Sequence, residues 1–503
     1  MEMAESLSQS TEGGATVVDV LIVGGGFSGL CMAIKLREAG MNSFLLIEKS
    51  DDIGGTWYDN RYPGCACDIP SHLYSFSFEL WPDWSRMYPG QQEIHDYLKR
   101  CIDHHALAPQ IRVNTRLCEA VWDETEGVWN VLTASGEGNL RIKARVLVSG
   151  MGGLHVPKLP KLPGIEQFSG PAFHSSQWDY GVDLKGKSVA VIGTGASAIQ
   201  FVPQIAPVVG KLSLFQRTPP WIVPRLDFAI SEKWKRRFRR YPFVMRAFRR
   251  YIFWRQEFRV LGFLGNHFVR GKATEIAKRH LEKQIADPKL REAMTPNYEL
   301  GCKRVLVSDD FYPTLNRENV ELVTEGIAEV RQRSIVTADG VERAIDVLIL
   351  GTGFRATEPL IGVHIVGRGG VEIHDAWRER MSAYYGITVS GFPNFFVLLG
   401  PNTGLGHNSI ILMTEAQVGY VMSCLKLMKR KKKKVIEVRE ETQKEFVENV
   451  HRRMAGTVWQ SGGCKSWYQD ARTGENTTLW PGSVVEYIRR TRSASPADYL
   501  LSG

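Results

Sequence analysis

Stretches of unbroken apolar and β-branched residues alternate along the chain with stretches whose apolar positions recur every three or four residues, and glycine-rich turns divide them. Val17-Val18-Asp19-Val20-Leu21-Ile22-Val23 runs into Gly24-Gly25-Gly26-Phe27-Ser28-Gly29, then into Leu30–Leu36 with helical spacing. That order predicts a buried strand, a tight turn and a helix. Ser188-Val189-Ala190-Val191-Ile192, then Gly193-Thr194-Gly195-Ala196-Ser197-Ala198, then Ile199 onward repeat it.

Between the two units, residues 114–142 hold short alternating stretches such as Gly127-Val128-Trp129-Asn130-Val131-Leu132, which predict a small antiparallel sheet. Val146-Leu147-Val148 returns to a buried strand. Strand character fades from 225 to 300, where Arg, Phe, Trp and Tyr follow helix-like spacing. It resumes at Val305-Leu306-Val307 and at Asp346-Val347-Leu348-Ile349-Leu350, which leads into Gly351-Thr352-Gly353. Apart from the paired units no repeat is visible, and the low-complexity run is Lys429–Lys434.

The glycines carry the first chemistry. Gly24 permits the tight turn, Gly26 lets the backbone approach a pyrophosphate, and Gly29 lets the helix pack on the strand, so phosphates meet free N–H groups at a helix N-terminus. Glu48 ends Phe44-Leu45-Leu46-Ile47, 24 positions after Gly24, near the spacing of about 20 for a carboxylate on a ribose 2′-hydroxyl. An acid there repels a 2′-phosphate, so this site suits FAD or NAD. In the second unit Gly193, Gly195 and Ala198 take the fingerprint positions, and Leu212-Ser213-Leu214-Phe215 leads to Gln216-Arg217-Thr218. A cation at the ribose end is the NADP pattern. FAD at one site and NADPH at the other imply hydride transfer from nicotinamide to flavin.

The expected fold is therefore α/β: two Rossmann-like dinucleotide-binding domains with a helical insertion. Residues 1–150 form the first part of an FAD-binding domain, and 151–224 the first part of an NADP-binding domain. Residues 225–300 are the insertion, 301–354 complete the NADP-binding domain, and 355–503 complete the FAD-binding domain and end in a cofactor-covering loop.

Composition narrows the setting. In 503 residues, 43% are apolar and 23% charged, ordinary globular usage that argues against disorder, collagen-like repeats and membrane channels. The first residues lack a basic n-region, and the apolar run after them is broken by glycines, so a frayed tail and a cytoplasmic chain are expected. The eight cysteines are scattered, with no CxxC and no second pair to match Cys65 and Cys67, so they are expected to be structural thiols, with no metal site. The net charge of +9 is concentrated in residues 233–259, where eleven Lys and Arg face Glu257 alone. Interleaved with Trp, Phe and Tyr, these arginines fit peripheral contact with an anionic membrane, and they also fit an ordinary insertion with a solvated basic face. No nucleic-acid-binding module accompanies the charge.

Phe168-Ser169-Gly170-Pro171-Ala172-Phe173-His174-Ser175-Ser176-Gln177-Trp178-Asp179, in a stretch expected to be a connector, has the form FxGxxxHxxxW followed by Asp. Phe168, Gly170, His174, Trp178 and Asp179 fill the fingerprint of type I Baeyer–Villiger monooxygenases, which the chain resembles. Gly54-Gly55-Thr56-Trp57-Tyr58-Asp59-Asn60-Arg61-Tyr62-Pro63-Gly64, Cys67-Asp68, Cys302-Lys303-Arg304, Gly351-Thr352-Gly353-Phe354 and Gly400-Pro401-Asn402 are similar to blocks of that family in the same order.

The resemblance implies an NADPH- and O2-dependent FAD enzyme that converts ketones to esters or lactones through a C4a-peroxyflavin. It implies Arg304 as the arginine holding the peroxide anion and Asp68 as the carboxylate that orients or tunes it. Thr56 and Trp57 would lie in the cofactor site, Lys303 with Arg217 and Thr218 would hold the 2′-phosphate, and Trp467 would cover bound NADP, a core tryptophan being the other reading. His174 would couple the linker to cofactor movement. Asp59, where the family often has Trp, and the missing proline after Arg304 bear on substrate size. N- or S-oxidation by the same intermediate, a peroxide-producing NADPH oxidase and a flavin-bound docking protein are the alternatives. The sequence leaves the ketone and the oligomeric state open.

Overall fold

The computed structural model describes residues 10–12, 14–136, 138–358 and 360–503. Its larger sheet has nine strands. Six neighbours along it are His364–Val366, Thr115–Asp123, Val128–Ser135, Leu140–Ser149, Ala15–Val23 and Phe44–Ile47, and Ile111–Arg112 closes the edge. Phe395–Val397 pairs parallel to Leu140–Ser149. The expected frayed tail falls partly on residues 1–9, outside the described residues; Ser10–Glu12 pair antiparallel with Ala15–Val23.

The separate small sheet expected at 114–142 does not form. Leu140–Ser149 is one ten-residue strand that runs antiparallel to Val128–Ser135 over its first half and parallel to Ala15–Val23 from Ile142 onward. The antiparallel hairpin is thereby fused to the parallel sheet.

The second sheet is wholly parallel, in the order Val320–Val323, Lys211–Phe215, Ser188–Ile192, Val347–Leu350, Ala172–His174. Parallel strands covered on both faces read as continuous apolar runs, which is why these segments lack alternation. Ala172–His174 corrects the expected connector: it is an edge strand, with His174 opposite Leu350. Gly170 is forced by this docking, because a Cβ there would lie 2.3 Å from the Asp346 carbonyl oxygen. A three-stranded antiparallel sheet, Ile327–Val330, Ser334–Thr337 and Glu342–Ala344, adds to this half.

The two glycine turns are locked in the same way. Gly24 has φ +105° and its Cβ would lie 2.7 Å from Gly150 O; Gly193 has φ +107° and its Cβ would lie 2.4 Å from Gly351 O. Gly150 N donates to Val23 O at 2.7 Å, and Gly351 N to Ile192 O at 2.8 Å. In each unit the turn after the first strand closes on a glycine that ends the neighbouring strand, where L side chains have neither the φ nor the space.

Residues 232–293 form helices Glu232–Arg240, Pro242–Phe258, Val260–Phe263, His267–Gln284 and Pro288–Ala293. Ile410–Lys431 is the one helix among the described residues long and apolar enough to cross a membrane, but 67% of its most apolar window is buried. Ile411, Met413 and Val418 share a core with Leu30 and Ile34 of the Phe27–Glu38 helix. Burial of its apolar face is enough to explain its composition.

A Cβ on Gly29 would lie 1.9 Å from Gly24 O, whereas one on Gly271, exposed on the His267–Gln284 helix, meets nothing within 4 Å. Gly29→Ala should cost more than about 2 kcal/mol by overpacking. Gly271→Ala should stabilise by about 0.5–1 kcal/mol through helix propensity. Urea midpoints check both signs.

Candidate active site

Two facing turns form the first cradle. Gly55, at φ +54°, would place a Cβ 3.0 Å from Gly26 Cα, and Gly54 N donates to Gly25 O at 2.9 Å. Glu48 is buried, and its carboxylate accepts from Gly25 N at 2.6 Å and Ser50 N at 2.9 Å. The acid thus braces the glycine turn, a role its spacing alone did not suggest. Thr56 is exposed at the start of the short helix Thr56–Asp59, and the Trp57 indole is buried and donates to Tyr74 Oη at 3.0 Å.

The second cradle is open where the fingerprint expects it. A Cβ on Gly195 would meet no atom within 4 Å, leaving the backbone approachable, while Ala198 is fully buried against Gly351. Arg217 is exposed and Thr218 half-buried. Among the described residues neither Arg217 nor Lys303 has an ion-pair partner. Burial and the neighbouring Arg217 cation lower the Lys303 pKa, and its Nζ lies 5.0 Å from the Tyr298 ring centroid. Two cations close enough to influence each other, neither in an ion pair among the described residues, have the chemistry to take a 2′-phosphate.

Arg304 and Asp68, 236 positions apart, come together in an ion pair. Arg304 Nε donates to Asp68 Oδ2 at 2.8 Å, Nη2 lies 2.6 Å from the same oxygen, and Nη1 donates to Leu405 O at 3.4 Å. The Asp68 carboxylate pushes the Arg304 pKa further up, so the guanidinium is a permanent cation. The first-domain loop that carries Asp68 is fastened to the Ala198–Ile205 helix: Tyr62 Oη donates to Gln200 Oε1 at 2.9 Å, and Gln200 Nε2 to Ala66 O at 2.9 Å.

Trp467 is 43% exposed, so it is not a core residue. Its neighbour Tyr468 is buried, and among the described residues Tyr468 Oη makes no hydrogen bond of good geometry, the Arg304 guanidinium being the charged group that acts on it. Burial raises that phenol to about 12, with Arg304 as the main opposing influence. Sequence reasoning missed Tyr468, whose only signal was its place after Trp467. It also missed the disulfide Cys302–Cys464, which ties the residue before Lys303-Arg304 to the Trp467 segment. This corrects the expectation that all eight cysteines are thiols; the other six are free. Asn402 holds the next stretch, donating to Asn476 O at 2.9 Å and Leu479 O at 3.1 Å.

The fingerprint residues lie apart from Arg304. Phe168 packs on the core beneath the second sheet. Trp178 meets Phe173 and Phe201 at 5.3 and 5.2 Å between centroids, and exposed Asp179 caps Gly181 N at 2.8 Å. His174 Nδ1 meets Ser176 Oγ at 2.9 Å, and its ring lies edge-on to Phe354. Burial lowers its pKa, which favours the neutral ring. Among the described residues one group has metal-ligand composition: Glu79 Oε2 meets His104 Nδ1 at 2.8 Å and His105 Nε2 at 3.2 Å. Arg100 lies 3.5 Å from the other oxygen and already balances the carboxylate.

Residues 18–372 match the family described as flavin-binding monooxygenase-like. The chain belongs to the flavin-binding monooxygenase-like family. A Baeyer-Villiger monooxygenase of Pseudomonas aeruginosa is 48% identical over 98% of this chain and 93% of its own length. A Baeyer-Villiger monooxygenase of Streptomyces coelicolor is 43% identical over 96% and 92%. The crystal structure of OTEMO in complex with FAD and NADP superposes with a TM-score of 0.86 at 30% identity, covering 96% of this monooxygenase-like chain and 99% of the other. The fold is accordingly α/β with two Rossmann-type dinucleotide-binding domains, as expected from the paired glycine turns.

Denatured without reductant, this flavin-binding monooxygenase-like chain should titrate six thiols with a thiol reagent, rising to eight after reduction. Eight before reduction would mean that Cys302 and Cys464 are not bonded.

Proposed function

We propose that the protein is a Baeyer–Villiger monooxygenase that consumes NADPH, H⁺, O2 and a ketone and releases NADP⁺, water and an ester or lactone. The Arg304–Asp68 pair carries this reading. A fixed cation in a sheltered site stabilises an anionic oxygen nucleophile, the form that adds to a carbonyl, whereas N- or S-oxidation favours a protonated oxidant. The names of the two relatives point the same way.

FAD, when bound, supplies the two-electron chemistry that links NADPH oxidation to O2. Gly24, Gly26, Gly29, Glu48, Thr56 and Trp57 hold it. Gly193, Gly195 and Ala198 receive the NADPH pyrophosphate, Arg217, Thr218 and Lys303 the 2′-phosphate, and Trp467 covers the nucleotide. Arg304 holds negative charge at the reacting oxygen, and Asp68 fixes the direction of its guanidinium. Tyr468 excludes water beside Arg304 and offers one hydroxyl to substrate or nucleotide. His174 and Trp178 act on timing, through the strand edge that leads to Phe354. The substrate is a small-molecule ketone. Six free thiols fit a reducing compartment such as the cytoplasm, whereas the Cys302–Cys464 bond is of the kind that persists in oxidising ones.

Arg304→Ala should leave anaerobic flavin reduction by NADPH intact and lower ester formation by at least about 10²-fold, the scale of removing one preorganised charge-stabilising donor. Stopped-flow absorbance and product chromatography separate the two steps, and full ketone conversion by the variant would refute the role. Arg217→Ala should raise KM for NADPH by tenfold or more, about 1.4 kcal/mol, with little change for NADH. Equal losses for both nucleotides would count against the 2′-phosphate site.

A further inference from the structure

The Pro242–Phe258 helix is partitioned the wrong way round for a helix whose outer face meets only water. Its outward stripe carries Phe243, Tyr251, Trp254 and Phe258, which are 67, 61, 55 and 63% exposed. Arg246, Arg250 and Arg255 are exposed between them in the chain, four and five residues apart. The inward face buries Arg249, Gln256 and Glu257 beside Met245 and Ile252. Two of these inward groups are anchored: Arg249 Nη1 donates to His72 O at 2.6 Å and Ser75 Oγ at 3.2 Å, and Glu257 accepts from Asn408 Nδ2 at 2.8 Å and Val485 N at 3.1 Å, while Gln256 Oε1 and Arg249 Nη2 have no hydrogen-bond partner among the described residues. Four aromatic rings in water and three polar side chains inside invert the usual amphipathic arrangement. Scattered exposed apolar residues need no explanation, but a contiguous stripe marks a contact surface.

The neighbouring Glu232–Arg240 helix belongs to the same surface. Its Phe238 stacks on Phe248 at 5.7 Å, and Trp234 is 46% exposed. Charge then selects the occupant. The only acid within 233–259, Glu257, is buried, and of the eleven Lys and Arg there Arg249 is buried and Lys235 half-buried, which leaves nine exposed cations with no exposed acid among them. Lys235 pairs with Glu232, and Arg239 with Asp83. Among the described residues Arg236, Arg237, Arg246, Arg250 and Arg255 have no ion-pair partner. A second copy of this chain would set like charges against each other across a two-fold axis. Single-stranded nucleic acid is bound in grooves that track the backbone over several nucleotides, whereas the concavity here, lined by Arg246, Arg250 and Phe253, measures about 250 Å³. A straight stripe of about 22 Å from Phe243 to Phe258, at 1.5 Å per residue, with aromatic rings to enter the interface and arginines to reach phosphates, matches a bilayer surface.

We propose that the outward stripe of the Pro242–Phe258 helix, with the Glu232–Arg240 helix beside it, is a docking surface for an anionic lipid bilayer. Docking through this face does not depend on the reaction proposed above. It would set the lipid against the helix that Arg249 ties to His72 and Ser75, just beyond Asp68 in the chain.

The test is flotation of the full-length, FAD-loaded protein with vesicles of phosphatidylcholine, with or without phosphatidylserine, at about 0.05 and about 1 M salt, where screening lengths differ severalfold. The protein should float with the anionic vesicles at low salt, with a blue shift of tryptophan emission, and should be released at high salt. The triple variant Arg246→Glu, Arg250→Glu, Arg255→Glu should bind at least about tenfold more weakly, since each charge near the surface contributes to attraction. Its NADPH oxidation in vesicle-free buffer should be unchanged. If that variant is misfolded by circular dichroism, the three Arg→Gln changes serve instead, and Phe243→Ser with Trp254→Ser should weaken binding without changing charge. The proposal fails if the wild type does not float with anionic vesicles at low salt, or if the charge variants float equally well. It also fails if a single-stranded oligonucleotide or self-association in solution displaces the vesicles from this face.

Discussion

One ion pair ties the two halves of the molecule into a single site. Arg304 belongs to the segment that leads into the second sheet's half, and Asp68 to a loop of the first, yet Arg304 Nε and Nη2 converge on one Asp68 oxygen. A guanidinium in a sheltered position needs a partner, because an uncompensated charge there is costly. The pair can form only when both sheets are built and the loop from Gly54 to Asp68 is docked. Gln200, on the helix of the second glycine turn, performs that docking with both ends of its amide. The helix of the second glycine turn, to which we assign the NADPH pyrophosphate, therefore also sets the position of the acid beside Arg304.

The scaffold on either side follows one construction used twice. In both sheets a positive-φ glycine closes against a glycine ending the adjacent strand, Gly24 on Gly150 and Gly193 on Gly351. Side chains are excluded from these contacts, which brings the helix N-terminus close to the strand ends and leaves free N–H groups facing outward. Around the Arg304 pair the protein adds covalent and buried anchors. The Cys302–Cys464 bridge and the Asn402 amide hold the segment that carries Trp467 and Tyr468. The helical insertion instead spends its buried polar groups inward, on His72, Ser75, Asn408 and Val485, and leaves its aromatic side outside.

The sequence by itself determined the elements and the two glycine turns, because these depend on local chemistry. A strand's apolar run, a helix's 3.6-residue period and the φ freedom of Gly24 or Gly193 are properties of neighbours in the chain. It also determined the acid at Glu48 and the cation at Arg217, whose distances from their glycine turns are set by the length of one helix and one strand. Arg304 and Asp68 were legible only through resemblance; nothing local links residues 236 positions apart.

Tertiary structure alone decided the pairings. Residues 172–174 became an edge strand because Val347–Leu350 left backbone groups for them to satisfy. Residues 140–149 fused two expected sheets because one long strand could pair on both sides. Cys302 met Cys464 across 162 positions, a proximity no spacing encodes. The orientation of the Pro242–Phe258 helix was likewise open in the sequence, since aromatic residues and arginines occupy both of its faces. Hydrogen-bond partners for Arg249 and Glu257 settled which face turned inward, and so left the aromatic stripe outside.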